Sequence, residues 1–468
     1  MALILGSVLR LGGGFLLGSQ DVEWWKVWAK DFHENGLLQC YGPPDYEILD
    51  RLSKGQTLKQ IYTETGRVVK AESYPIKTWR TEFPVVQPPI FHYLLRASAW
   101  GYSFFSPSLE NTRLFNFFIN LVPLMAAGAM TALLFWALRR FGQDENEAAL
   151  AAASFWLFPL MLLNSPIQGY FDMVVAMGVF ATTLALARGH LALACVLCVV
   201  TFLSKPQGVL IVPVVLVIGV FHFSALRNIK AWLAASLAGF LIAAPYFVSG
   251  YGLSFINAVL HPTQHGGALT VQSLNFWWLP NYRIAMGKLV ARGMSSWEAF
   301  RGANRIAFRI YTQADLEQAL HFKLSVLPSL VFPVFAIFIL YYASALYKVE
   351  RKSLFLSMTI FLYAFVTFGL GVHTNHYFIF LPVLLVSACL YPEFRRWACG
   401  VAAVFLVQDL FFYGLGRDFT SPTQYAIEYG LSFLSLIPAL CSVGLFAWGL
   451  RQFYRLWRRE TRVAFEPR

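Results

Sequence analysis

Seven polar residues in this apolar chain have types and settings suited to chemistry. Asp21 follows the first hydrophobic run, in SQDVEWW, with Glu23 two residues on. A carboxylate at the mouth of a membrane is partly desolvated, which raises its pKa and strengthens it as a base. The same residue also suits a helix N-cap. Gln168 and Asp172 stand four apart in SPIQGYFD, where Asp172 reads as a support for the reacting centre or as another N-cap. Lys205 precedes Pro206 in FLSKPQG and is placed to bind a phosphate as a point charge or to snorkel to the surface. His373 and His376 share GVHTNHYF, where imidazole N–H groups would suit a phosphate. Their spacing is a weak metal signature, so a metal-free site is expected, with Asp21 and Glu23 as the pair a divalent ion would use.

Further along, NFWWLPNYR holds Trp277 and Trp278, whose rings would stack on a sugar or anchor at the membrane interface. Arg301, Arg305 and Arg309 recur every four residues and would form one basic stripe, for a polyanion or for solvent.

The elements that position these residues follow from composition. Of 468 residues, 57% are hydrophobic and 13% charged, where a soluble domain carries about 25% charged. This excludes a disordered chain, a disulfide scaffold and an ordinary soluble enzyme, and predicts an all-α polytopic membrane protein. At about 20 apolar residues per span, candidate spans fall near 1–19, 114–138, 148–164, 172–187, 190–204, 207–223, 231–249, 324–347, 353–371, 376–391, 397–414 and 430–450. Arg10 interrupts the first run, which suggests a sequence start inside the true first helix. Cys195 and Cys198 form a CxxC inside an apolar run and read as helix packing.

The net charge of +12 does not call for nucleic acid, because the cations gather at one set of span ends. Arg139, Arg140, Arg188, Arg227, Lys230, Lys348, Arg351, Lys352, Arg395, Arg396 and the basic tail lie on one side, and Lys205 and Arg417 on the other. The positive-inside rule then puts both termini in the cytoplasm. Two long segments, about 20–113 and 250–322, fall outside. The chain divides into an N-terminal transmembrane module (1–249), an outer-face region (250–322) and a C-terminal transmembrane module (323–468). In the first outer segment, DVEWWKVWAKDFHENGL is amphipathic and reads as a helix on the membrane surface, stopped at Gly36. Pro88 and Pro89 open a second short helix.

In this order, SQDVEWW, FPVVQPPIFHYLL, SPIQGYFD, FLSKPQGVLIVPVVL and GVHTNHYFIFLP resemble the GT-C class of integral-membrane glycosyltransferases, which use polyprenyl-phosphate-sugar donors. The last motif is similar to the histidine motif of dolichyl-phosphate-glucose glucosyltransferases. Two departures are visible. Val85–Val86–Gln87 replaces an aromatic before the prolines, and the Gln-to-Asp spacing is wider. The resemblance implies Asp21 as general base, inversion at the anomeric carbon, and Lys205, His373 and His376 at the donor phosphate. It further implies a glycan, glycolipid or protein acceptor met from outside and no cofactor. Trp277, Trp278, Arg301, Arg305 and Arg309 are the expected acceptor contacts. A bacterial cytoplasmic membrane is the expected location, with the endoplasmic reticulum as the alternative of equal topology. A polytopic transporter or lipid-linked-glycan flippase is the competing class.

Overall fold

The computed structural model describes residues 2–70, 82–85, 87–260, 268–271, 273–303, 311–320, 323, 326–414 and 429–465. Helices dominate. They are α1 (Ala2–Gly13), α2 (Gln20–Glu34), α3 (Asp45–Ser53), α4 (Leu58–Thr65), α5 (Pro89–Ser103), α6 (Arg113–Arg140), α7 (Glu145–Leu157), α8 (Pro159–Leu162), α9 (Asp172–Ala187), α10 (Leu191–Phe202), α11 (Val212–His222) and α12 (Ala225–Val248). Then come α13 (Gly252–Leu260), α14 (Trp278–Val290), α15 (Ser296–Gly302), α16 (Gln313–Leu320), α17 (Leu327–Val349), α18 (Ser353–Phe368), α19 (Leu381–Leu390), α20 (Arg395–Tyr413) and α21 (Leu436–Phe465). Between α4 and α5, β1 (Val68–Lys70) pairs antiparallel with β2 (Glu82–Pro84), Val69 opposite Phe83.

Among the described residues, five helices are long and apolar enough to cross a membrane: Arg113–Arg140, Ala225–Val248, Leu327–Val349, Pro392–Tyr413 and Ser432–Thr461. The bent pair Glu145–Leu157 and Pro159–Ile167 makes a sixth if read as one span. The remaining apolar helices run 10–17 residues, shorter than the 20-residue rule behind a count of twelve. Pro159 and Pro382 begin new helical turns where sequence hydropathy continues, and Pro206 begins one at the polar step between two apolar runs, because proline lacks the N–H an interior turn needs.

Local signals set the helix starts. Thr112 accepts from Phe115 N at 3.3 Å, and Asp144 accepts from Asn146 N and Glu147 N at 2.8 and 3.0 Å, as N-caps do. Pro89 sits in the first turn of α5, as its ring geometry favours. Gly36, at φ +82°, takes the left-handed position that follows α2.

The main core wraps α18, whose side chains are nearly all buried, between α9, α17, α19 and α21. A second core lies under α2 and α5, and a third inside the 268–320 region. The second core corrects the expectation that 21–37 lies on the membrane surface. Trp25 and Trp28 are buried, with Trp25 edge-on to Phe91 and Phe171 at 5.6 and 4.8 Å. Their aromatic area goes into the protein instead of into lipid. Asp31 also pairs with Arg67 at 2.5 Å, tying α2 to the residue before β1.

Arg10 has a structural role. It is fully buried, lies 4.2 Å from the Trp156 ring centroid, and donates to Trp156 O at 3.0 Å and Met161 O at 3.4 Å. These carbonyls flank the break at Phe158–Pro159, where helical bonding is interrupted. A cation that satisfies orphan carbonyls in an apolar setting explains its tolerance there. Arg10→Met is expected to lower the thermal midpoint of the purified protein by several degrees through the exposed carbonyl deficit. An unchanged midpoint would remove this role.

Candidate active site

Hydrogen bonds bring the C-terminal ends of α1 and α10 together with the N-terminal ends of α5, α6 and α9. Ser19 N donates to Gln168 O at 2.9 Å, Asn120 Nδ2 to Gly14 O at 3.0 Å, and Ile90 N to Leu203 O at 3.0 Å. Leu163–Ile167 forms a π-helical turn containing Pro166, a geometry that often marks functional sites. It delivers Gln168 and Gly169. Gly169, at φ +74°, has no room for a side chain. A Cβ would collide with Asn120 Oδ1 and lie 2.7 Å from Val22 Cγ2. The Gln-Gly pair is therefore set by close approach of α2 and α6.

Asp21 stands in the first turn of α2, next to this junction, half-buried. Among the described residues its carboxylate has no hydrogen-bond partner. Burial pushes it up to about 6, while the charge of Lys205 opposes the rise and that of Asp172 adds to it. Asp21 also acts electrostatically on Tyr170 and Tyr413. It is thus an unengaged carboxylate poised to hold a proton near neutral pH.

Lys205 and Asp172 form a buried ion pair. Nζ lies 2.9 and 3.0 Å from the two carboxylate oxygens, with side-chain exposures of 7% and 0%. Buried and paired in this way, Lys205 does not snorkel to the surface. Lys205 spends two of its three N–H donors on Asp172, and only the remainder can face an anion. It also decides the role of Asp172, which is the first residue of α9 with Phe171 as the N-cap. The carboxylate is a counter-ion and does not cap the helix.

His373 caps a 3₁₀ turn (Thr374–Ile379) whose third residue is His376, and the two close it reciprocally. His373 N donates to His376 Nδ1 at 3.2 Å, and Gln207 Nε2 lies 2.7 Å from His376 Nε2. An imidazole that accepts at Nδ1 carries its proton at Nε2, and the Gln207 amide turned over presents its oxygen as the matching acceptor. Tyr413 OH meets His373 Nδ1 at 2.5 Å, and Tyr170 packs edge-on to Tyr413 at 5.4 Å. The turn is pinned to the 268–320 region by Val271 N donating to Val372 O at 3.0 Å. The Lys-Pro-Gln and His-turn motifs, 169 residues apart, meet at one site.

Gln168 is fully buried and donates to Asp409 Oδ2 at 2.9 Å and Gly414 O at 3.3 Å. Asp409 was absent from the residues that sequence reasoning singled out. A lone acid inside the apolar run of α20 is itself a signal, since ionisable groups inside membranes are costly unless used. Tyr170, Tyr413 and Gln207 were also missed. Gln207 lay in plain sight, one residue beyond the Lys-Pro step. Glu23 is buried, at 6% exposure, whereas Asp21 is half-buried. Among the described residues, no three His, Cys, Asp or Glu side chains are grouped as a metal site requires.

The expected acceptor contacts are not assembled here. Trp277 and Trp278 are core residues, donating from Nε1 to Phe368 O at 2.6 Å and to Ser435 Oγ at 3.0 Å. This corrects their reading as sugar platforms, because both faces are packed in the third core. Trp277→Phe should cost about 1–3 kcal/mol, the penalty for stranding the Phe368 carbonyl. Chemical unfolding would measure it, and an unaltered midpoint would contradict this packing. Arg301 is exposed and donates to Gly430 O at 3.3 Å and Tyr429 O at 3.4 Å. Arg305 and Arg309 lie outside the described residues.

The sequence matches no protein-family model, and no curated protein matches it.

Proposed function

We propose that this chain is an inverting membrane glycosyltransferase that takes its sugar from a polyprenyl-phosphate donor. The observation that supports the reading best is Asp21, an unengaged carboxylate raised to about 6 beside a buried Lys–Asp pair and a histidine turn. The acceptor hydroxyl gives its proton to Asp21 as its oxygen bonds to the anomeric carbon. The bond from that carbon to the phosphate oxygen breaks, and its electron pair leaves with the polyprenyl phosphate. A phosphate leaving group needs no second carboxylic acid, unlike glycoside hydrolysis. It needs donors and positive charge. His373 and the third N–H of Lys205 are the proposed suppliers, while His376 holds the turn through His373 N and Gln207. The Lys205–Asp172 pair keeps that cation aimed.

On this reading the shorter apolar helices, 10–17 residues each, complete crossings with their flanking turns, giving about twelve spans with the site on the outer side. The location is the bacterial cytoplasmic membrane, or the endoplasmic reticulum with the same topology. Acceptor recognition falls to the 268–320 region, whose backbone joins the histidine turn.

A transporter would hold substrate near the bilayer midplane, whereas Asp21 sits at the helix ends. The discriminating experiment uses proteoliposomes and a panel of radiolabelled polyprenyl-phosphate sugars, with membrane extract as acceptor and with or without chelator. Covalent transfer of label in both conditions is expected. Movement of intact donor between leaflets without transfer would favour the flippase.

A further inference from the structure

A second feature lies at the other end of α2. Twelve residues separate Asp21 from His33, about 18 Å at the helical rise. There, α2, α5 and the end of α12 enclose an open groove of about 700 Å³, lined by His33, Leu38, Tyr93, Arg96, Trp100, Tyr246 and their neighbours. The lining is mostly apolar, with one cation and no acid. Arg96 is exposed, and neither it nor His33 has a hydrogen bond or ion pair among the described residues.

The groove opens where lipid should be. Helix α12 is apolar enough to cross a membrane, and most of its surface is uncovered by protein. Tyr93 OH donates to Ile242 O at 2.9 Å, fixing α5 against that span. Along α5, Tyr93, Arg96, Ala97, Trp100 and Phe104 recur at helical spacing and form one face. Trp100 and Phe104 are 60% and 70% exposed and pack edge-on at 4.9 Å. Exposed aromatics beside a spanning helix belong at the headgroup level. A guanidinium there has the geometry to grip a phosphate oxygen pair.

We infer that this groove is a binding site for an anionic phospholipid, separate from the candidate active site. Arg96 holds the headgroup phosphate with His33 beside it, and an acyl chain lies along Tyr93, Trp100 and the end of α12. A soluble anion would gain nothing from the apolar walls. A zwitterionic lipid brings a choline cation toward Arg96 and is disfavoured. The inference rests on a bilayer around the chain and not on the proposed sugar transfer.

The test uses the full chain in nanodiscs of phosphatidylglycerol and phosphatidylcholine in equal amounts, released for native mass spectrometry. Retained lipid on the wild type should be enriched in phosphatidylglycerol by about tenfold, the scale of one charge-assisted contact. Arg96→Gln should abolish the enrichment, and Arg96→Lys should keep part of it. Trp100→Ala should lower retention of both lipids without changing their ratio. Arg96 is exposed, so equal thermal midpoints for wild type and Arg96→Gln are expected and serve as the folding control. Equal retention of the two lipids by the wild type, undiminished enrichment in Arg96→Gln, or displacement of phosphatidylglycerol by millimolar inorganic phosphate would each overturn the inference.

Discussion

Asp21→Asn is expected to lower sugar transfer by about 10²- to 10⁴-fold, the range for losing a general base. The amide fills the same space and cannot accept a full proton. Because Asp21 has no hydrogen bond to lose among the described residues, folding and donor binding should change little, and the loss should fall on kcat. The pH profile carries a second signature. A base works deprotonated, so with a carboxyl held near 6 transfer should be level above about pH 7. It should fall about tenfold per unit well below 6. The stability term runs the other way. The folded-state value lies above the ordinary 3.8, so the contribution of Asp21 to stability is complete below about pH 4 and is lost as pH rises through 6. An acid limb in activity at pH 5 is therefore not unfolding at this residue. A limb near pH 4, or none, would dissociate Asp21 from the proton transfer.

The second large effect concerns Lys205 and Asp172. Removing one partner of a buried pair strands the other charge, at a cost of about 3–5 kcal/mol. Lys205→Met and Asp172→Leu should each bring the protein close to unfolding at its working temperature, since whole domains are stable by only about 5–15 kcal/mol. The double replacement Lys205→Met with Asp172→Leu should regain most of that stability, because no charge remains to be stranded. Its transfer activity should stay low, because the cation at the donor phosphate is gone. Denaturation midpoints of the four proteins in one detergent give the coupling directly. Additive losses would mean that the 2.9 Å contact contributes nothing as a pair. A stable and fully active double variant would confine the two residues to packing.

The helical, membrane-embedded character was legible because composition and hydropathy report burial in any apolar medium. The helix starts at Pro89 and the stop at Gly36 were legible because capping is local chemistry. The number of full-length spans was not. Hydropathy is continuous across Phe158–Pro159, while the backbone breaks there; the break at Lys205–Pro206 was legible, because polar residues separate the two apolar runs. At the site, sequence picked the motif positions but not their pairing. Nothing in SPIQGYFD or FLSKPQG says that Asp172 meets Lys205, since this depends on how the ends of α9 and α10 face each other. Asp409 and Tyr413, at the end of α20, reach Gln168 and His373 only through the tertiary fold. The tryptophans of NFWWLP misled for the same reason. A paired tryptophan suits a sugar platform or a core, and the hydrogen bonds to Phe368 and Ser435 fix the second.

The most direct test is the release of polyprenyl phosphate, counted against sugar delivered to acceptor, with wild type and Asp21→Asn side by side. The account predicts one polyprenyl phosphate per sugar transferred by the wild type, an inverted anomeric centre in the product, and near-background values for both quantities with Asp21→Asn. Equal transfer by the two proteins would contradict the assignment of the base. Donor left intact by an otherwise well-folded wild type, while labelled substrate crosses the bilayer, would contradict the glycosyltransferase itself.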